Sequence, residues 1–223
     1  MRVGILGSGD VARHLAGGFL ERGDEVRLGS RSGAKPELAA WISDGHPSVR
    51  QGTFAEVAGW GELIVLSARG MANDQTVRDA GPERFDGKIV IDTTNPLVFR
   101  EGAPPAIGLP RGESAGARLQ KALPRARVVK AWNTIGALHM VHPQFPEPAT
   151  MFLCGNDAAA KASVAQILAS FGWRSIVDAG GIEASEHLEA LCAFWIHLGV
   201  TLGDWGIGFR LERQRPPAAG GVK

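Results

Sequence analysis

The chain has 223 residues, of which 44% are hydrophobic and 21% charged, with a formal net charge of +1. That length suffices for one well-buried core. Interspersed charges of both signs exclude nucleic acid as the main partner, because phosphate backbones call for a clustered surplus of Lys and Arg. Residues 3–6 are too short an apolar run for a signal core, and residues 190–202, broken by His197, are too short to cross a bilayer. A cytoplasmic protein with no membrane partner is expected. Cys154 and Cys192 lack metal or redox-pair spacing, and His139 and His142 have no Cys or carboxylate cluster beside them. They are expected as loop histidines, with no metal.

In chain order, residues 2–6 form the first β-rich run. A helix is expected over 10–22, with Val11, Leu15, Ala16, Phe19 and Leu20 on one face and Gly23 as its stop. A strand at 25–28, a helix at 35–42 with Pro36 in its first turn, a weak strand at 48–51 and a helix at 53–58 capped by Thr53 follow. Residues 63–66 and 88–92 are near-continuous apolar runs, as expected of strands buried on both faces. The Pro- and Gly-rich stretch 99–112 has no hydrophobic period and is expected as a loop over the strand ends that could act as a lid. A helix at 113–123 and strands at 127–131, 151–154 and 174–177 come next, with a helix at 157–171 between the last two. Residues 182–202 carry a helical stripe that becomes apolar nearly all round from Phe194, suiting burial in a dimer or against a cofactor. The acids at its start, Glu183, Glu186 and Glu189, with His187, are expected on a solvated face. This alternation predicts an α/β fold: a doubly wound, mostly parallel sheet with a small C-terminal helical portion. The expected division is a nucleotide-binding domain over 1–181, a helical segment over 182–212 packing on the cleft or a dimer interface, and a disordered tail over 213–223.

Between the first strand and first helix stands Gly7-Ser8-Gly9-Asp10-Val11-Ala12. Gly7 permits a tight turn, Gly9 lets the backbone approach a diphosphate, and Ala12 is small enough for the helix to pack on the strand. The diphosphate would rest on the amides of residues 8–11 and the positive end of the helix. About twenty residues past these glycines, an NAD site places an acid on the ribose. This chain has Gly29-Ser30-Arg31 there, with Lys35 close behind. A hydroxyl, a guanidinium and an ammonium are the groups a 2′-phosphate recruits, so NADP(H) is expected over NAD(H).

With these residues placed, the sequence resembles the coenzyme F420-dependent NADP oxidoreductase family from Val3 to about Leu198. Besides the two segments above, its marks are residues 89–97 (IVIDTTNPL), 127–135 (RVVKAWNTI), 151–157 (MFLCGND) and Asp178-Ala179-Gly180. The resemblance implies a Rossmann domain, often dimeric, that passes hydride between NADP(H) and a deazaflavin. It carries Ser30, Arg31 and Lys35 over to the 2′-phosphate, Ser67, Ala68, Asn95 and Pro96 to the cofactor cleft, and Asn133, Thr134 and Ala137 to the nicotinamide. Arg69-Gly70, Trp132 and Gly136 depart from the family pattern and are expected near the second substrate. No catalytic acid or base is expected, since hydride transfer between stacked rings depends on positioning. A Lys/Asn dyad at Lys130 and Asn133 is set aside in favour of a structural Lys130. The partner is then a small-molecule acceptor, F420 first, with a flavin or ferric complex as alternatives. A non-catalytic NADP(H) sensor is the reading from another class, and a homodimer is expected.

Overall fold

The computed structural model describes residues 1–214, so the tail expected at 213–223 lies outside the described residues save for its first two positions. The first half builds β1 (Arg2–Leu6), α1 (Asp10–Glu21), β2 (Glu25–Ser30), α2 (Pro36–Ser43), β3 (Arg50–Thr53), α3 (Phe54–Trp60), β4 (Leu63–Leu66), α4 (Asn73–Ala80) and β5 (Ile89–Asp92). The hydroxyl of Thr53 accepts the Glu56 amide while the Glu56 carboxylate takes the Thr53 amide, a reciprocal cap that starts α3. The weak third strand begins at Arg50, later than its sequence suggests. It is half-buried at the sheet edge, so no strong apolar pattern fixes its register.

Residues 97–107 correct the loop expectation. They form an antiparallel hairpin, β6 (Leu97–Arg100) and β7 (Ala103–Ile107), turned at Gly102 with φ of 70°. Pro104 and Pro105 hide this strand from pattern reading, yet a two-stranded ribbon has open edges where a missing N–H costs nothing. The chain then adds α5 (Ala115–Ala122), β8 (Arg127–Lys130), β9 (Thr150–Gly155), α6 (Ala158–Ser170), β10 (Ser175–Asp178) and α7 (Ser185–Leu202).

Eight strands form one sheet in the order β10-β9-β8-β5-β4-β1-β2-β3, parallel except where β9 meets β8. Alternation along the central strands divides two cores. Ile5, Val65, Ile91 and Val129 face α1 and α6. Leu6, Ile64, Leu66, Val90 and Val128 face the residues of α3, α4 and α5. Strand order reverses at β1 and β4, which opens a crevice at their carboxyl ends.

One buried charge cluster fastens the C-terminal helix to this frame. Lys130 Nζ lies 2.7 Å from Asp92 Oδ2 and 3.0 Å from Glu189 Oε1, and also donates to the Thr94 carbonyl. Glu189 takes the amides of Ala115 and Gly116 at the start of α5. This corrects the solvated reading of Glu189, which is 1% exposed. An acid in the first turns of a helix looks solvated until the partner helix and a buried lysine are seen against it. Lys130 is structural, as expected. Burial works to lower its pKa, but the two carboxylates and their hydrogen bonds outweigh burial, and the net shift is upward.

Removing the lysine strands two carboxylates in a dry interior. Lys130→Met is expected to cost about 3–5 kcal/mol in denaturant unfolding, and a loss below about 1 kcal/mol would contradict this picture. Because the folded pKa lies above the ordinary 10.5, the lysine's contribution is complete below that pH and fades only as pH climbs through the raised value.

Candidate cofactor cleft

Gly7 is placed by contact rather than by freedom alone. A Cβ there would stand 2.8 Å from the Ser67 carbonyl oxygen, and the Gly7 amide donates to the Gly29 carbonyl at 3.0 Å. The ends of β1, β2 and β4 therefore meet at one point. Gly9 is the N-cap of α1 and offers no side-chain cap, so no side chain claims the first-turn amides. No heavy atom lies within 4 Å of where a Gly9 Cβ would project.

Around this turn lies a cavity of about 710 Å³ that brings together Gly7, Ser8, Gly9, Ser30, Arg31, Lys35, Ser67 and Ala68. Two further polar lining residues, Ser32 and Thr76, had no signal of their own in the sequence. Arg69 was expected near the second substrate; it faces the same cavity as Arg31 and Lys35. Its guanidinium adds a third cation to the Arg31 guanidinium and the Lys35 ammonium, and no Asp, Glu or His lines the cavity. Such a wall attracts a polyanion and repels no part of it. Ser30 is 2% exposed, and its hydroxyl donates to the Gly33 carbonyl at 3.2 Å. Arg31 is largely exposed, with its Nε 3.9 Å from Asp79 Oδ2 on α4.

The remaining expected residues lie outside the cavity lining. Asp10 pairs with Arg13 at the outer side of α1, and Val11 packs against the core beside it. Asn95 and Asn133 hold each other: Asn95 Nδ2 donates to the Asn133 carbonyl, and Asn133 Nδ2 donates to Asn95 Oδ1 and to the Leu188 carbonyl. Asn133 Oδ1 is buried with no partner. Pro96 and Thr134 are buried, and Ala137 opens a short 3-10 turn with partial exposure.

Trp132 corrects its expected place by the acceptor. It is fully buried, with φ of 61°, its indole donating to the Met140 carbonyl and its ring against Phe171. Gly136 is half-buried, and a Cβ there would come 3.2 Å from the Trp195 ring. Gly70 is held by backbone, its Cβ position overlapping the carbonyl of Asn95. His142 bonds Glu21, and among the described residues no group of three metal-type side chains converges. Burial pushes the Cys192 thiol up to about 12, which leaves it protonated and inert.

Residues 2–96 match the family model described as NADP oxidoreductase, coenzyme F420-dependent. A solved structure from Arthrobacter sp. FB24, described as a candidate F420-dependent NADP reductase, is 36% identical over 95% of this chain and 99% of its own, with a TM-score of 0.90. This chain is a member of that family. It is an NADP-dependent oxidoreductase with the Rossmann-type architecture of its relatives. The F420-dependent NADP reductase of Methanocaldococcus jannaschii is 27% identical across 95% of this chain and 98% of its own length. The rat metalloreductase STEAP3 is 28% identical over 85% of this chain, which spans only 36% of that protein. Among the described residues, no helix is long and apolar enough to cross a membrane.

The two glycines of the turn separate by experiment. Gly7→Ala is expected to lose about 1–3 kcal/mol of stability, because backbone must move to admit the methyl. Gly9→Ala, with open space at its Cβ and an ordinary N-cap conformation, should stay within about 0.5 kcal/mol of the parent. Thermal denaturation of both variants checks the contrast, and equal losses would contradict it.

Proposed function

We propose that this protein transfers hydride between NADP(H) and coenzyme F420. The observation that carries the cofactor half is the cavity at the β1–α1 turn, where Arg31, Lys35 and Arg69 line a wall without a carboxylate. In this reading the first-turn amides of α1 hold the diphosphate, and Arg31 and Lys35 grip the 2′-phosphate. The Ser30 hydroxyl would turn from Gly33 to join them. Ser67, Ala68 and Arg69 line the path toward the nicotinamide, which would lie past the ends of β5 and β8, near Asn95 and Ala137. The locked Asn95–Asn133 pair would keep that floor rigid.

The nicotinamide supplies the hydride chemistry when bound. What the chain supplies is placement and dryness. Buried Asn133 and Thr134 leave little room for water beneath the ring, and the tie from Asn133 to Leu188 makes α7 a fixed wall. The F420 half is supported by the methanogen reductase and the Arthrobacter structure, both matched over nearly their full lengths. Residues 182–212 would then form a helical wall beside the acceptor. A homodimer through α7 accords with Phe194, Val200 and Leu202, which stand at least half exposed.

Two measurements test this. Purified protein is expected to oxidise NADPH with F420 in steady state; tight NADPH binding without turnover on F420 would overturn that acceptor, and no turnover on a flavin or ferric complex either would favour a sensor. Arg31→Ala is expected to weaken NADPH at least tenfold, about 1.4 kcal/mol, while leaving NADH nearly unchanged. Equal losses for both dinucleotides would refute the phosphate assignment.

A further inference from the structure

β10 ends the sheet, and among the described residues only β9 pairs with it. The Ala179 amide donates to the Leu153 carbonyl on β9. Alternation along the strand therefore turns the backbone groups of Ser175 and Val177 toward β9, and those of Ile176 and Asp178 outward. Arg174 precedes the strand in the same alternate phase as Ile176. Natural edges are commonly blunted by proline, lysine or a bulge, and the Ser-Ile-Val-Asp run of β10 has none of these. The outward set is also self-complementary. Arg174 is exposed, Ile176 packs on the core shared with α6, and the Asp178 carboxylate is 52% exposed although Lys161 holds it at 2.7 Å.

We propose that β10 pairs antiparallel with β10 of a second copy of this chain, about a two-fold axis at Ile176, so that the two sheets continue into one. In that register Ile176 exchanges its amide and carbonyl bonds with the second copy's Ile176. Each Arg174 then stands opposite the other copy's Asp178, so charge order selects the partner: a base, an apolar residue and an acid read against themselves in reverse. A two-fold pairing uses one patch on both copies, closes on itself and covers both open edges. The neighbouring helix permits it. Lys161, which meets Asp178, marks the flank of α6 nearest β10. Beyond it Ala158, Ala162, Ala165 and Ala169 share one helical face, all exposed except the half-buried Ala165. Two helices on the same side of a continued sheet pass close to each other, and methyl groups leave room for that approach. This surface is separate from the apolar end of α7, and the proposal stands without the NADP(H) reading.

The test is sedimentation equilibrium of the purified full chain, joined to hydrogen exchange at the Ile176 amide. The wild type is expected to be a dimer, or a tetramer if α7 pairs as well. Arg174→Glu sets like charges opposite each other across the join, and Ala162→Arg obstructs the approach of the two helices. Both positions are exposed, so the circular dichroism and thermal unfolding of each variant should match those of the dissociated wild type. Each variant is expected to halve the mass of the assembly and to speed exchange at Ile176 at least tenfold. A monomeric wild type overturns the proposal. So does an assembly whose mass and Ile176 exchange both variants leave unchanged, which would assign association to another face.

Discussion

The carbonyl of Ser67 occupies nearly the place where a side chain on residue 7 would have to begin. That close approach joins the end of β4 to the end of β1, and the Gly7 amide joins both to β2. Three strand ends drawn to one point leave no room for a conventional loop, so α1 starts at once from a glycine with no side-chain cap. The exposed amides, the crevice where strand order reverses, and the cations from β2 and β4 all follow from that convergence. The phosphate binding proposed for the cleft thus rests on backbone packing first and on side-chain charge second.

A second constraint sets the other wall. Lys130, Asp92 and Glu189 bind three separate parts of the chain in the dry interior, and Glu189 carries the interaction to the amides at the start of α5. Ion clusters of this kind add little net stability compared with apolar packing, but they tolerate few alternative arrangements. Here the arrangement determines where α7 lies, and Asn133 adds a bond to the same helix through Leu188. The C-terminal segment is therefore held at the carboxyl edge of the sheet beside the hairpin, whose Leu97 packs on Cys192, Trp195 and Ile196. The wall proposed for the second substrate is one helix and one ribbon.

Much of this was legible in the sequence because the central strands obey a rule with few exceptions. Ile64 and Leu66 face one core while Leu63 and Val65 face the other, so an unbroken apolar run in the sequence becomes a strand buried on both faces. The glycine turn and the Ser30, Arg31 and Lys35 group are local, and the structure brings them to one cavity. What stayed hidden depends on distant partners. Glu189 reads as a solvated helix acid until Lys130 is found against it. Pro104 and Pro105 deny a strand that exists because its ribbon has open edges. Trp132 sits beside residues expected at the ligand, but its positive φ turns the ring into the core. Asp79 belongs to a segment with no motif, and the packing of α4 against α3 brings it to Arg31.

The most direct measurement of the central claim is a crystal structure of the protein with NADPH. The account predicts the diphosphate against the first-turn amides of α1 and the 2′-phosphate within hydrogen-bond distance of both Arg31 and Lys35. A dinucleotide bound elsewhere, or lying in this cleft with its 2′-phosphate turned away from both cations, would contradict it.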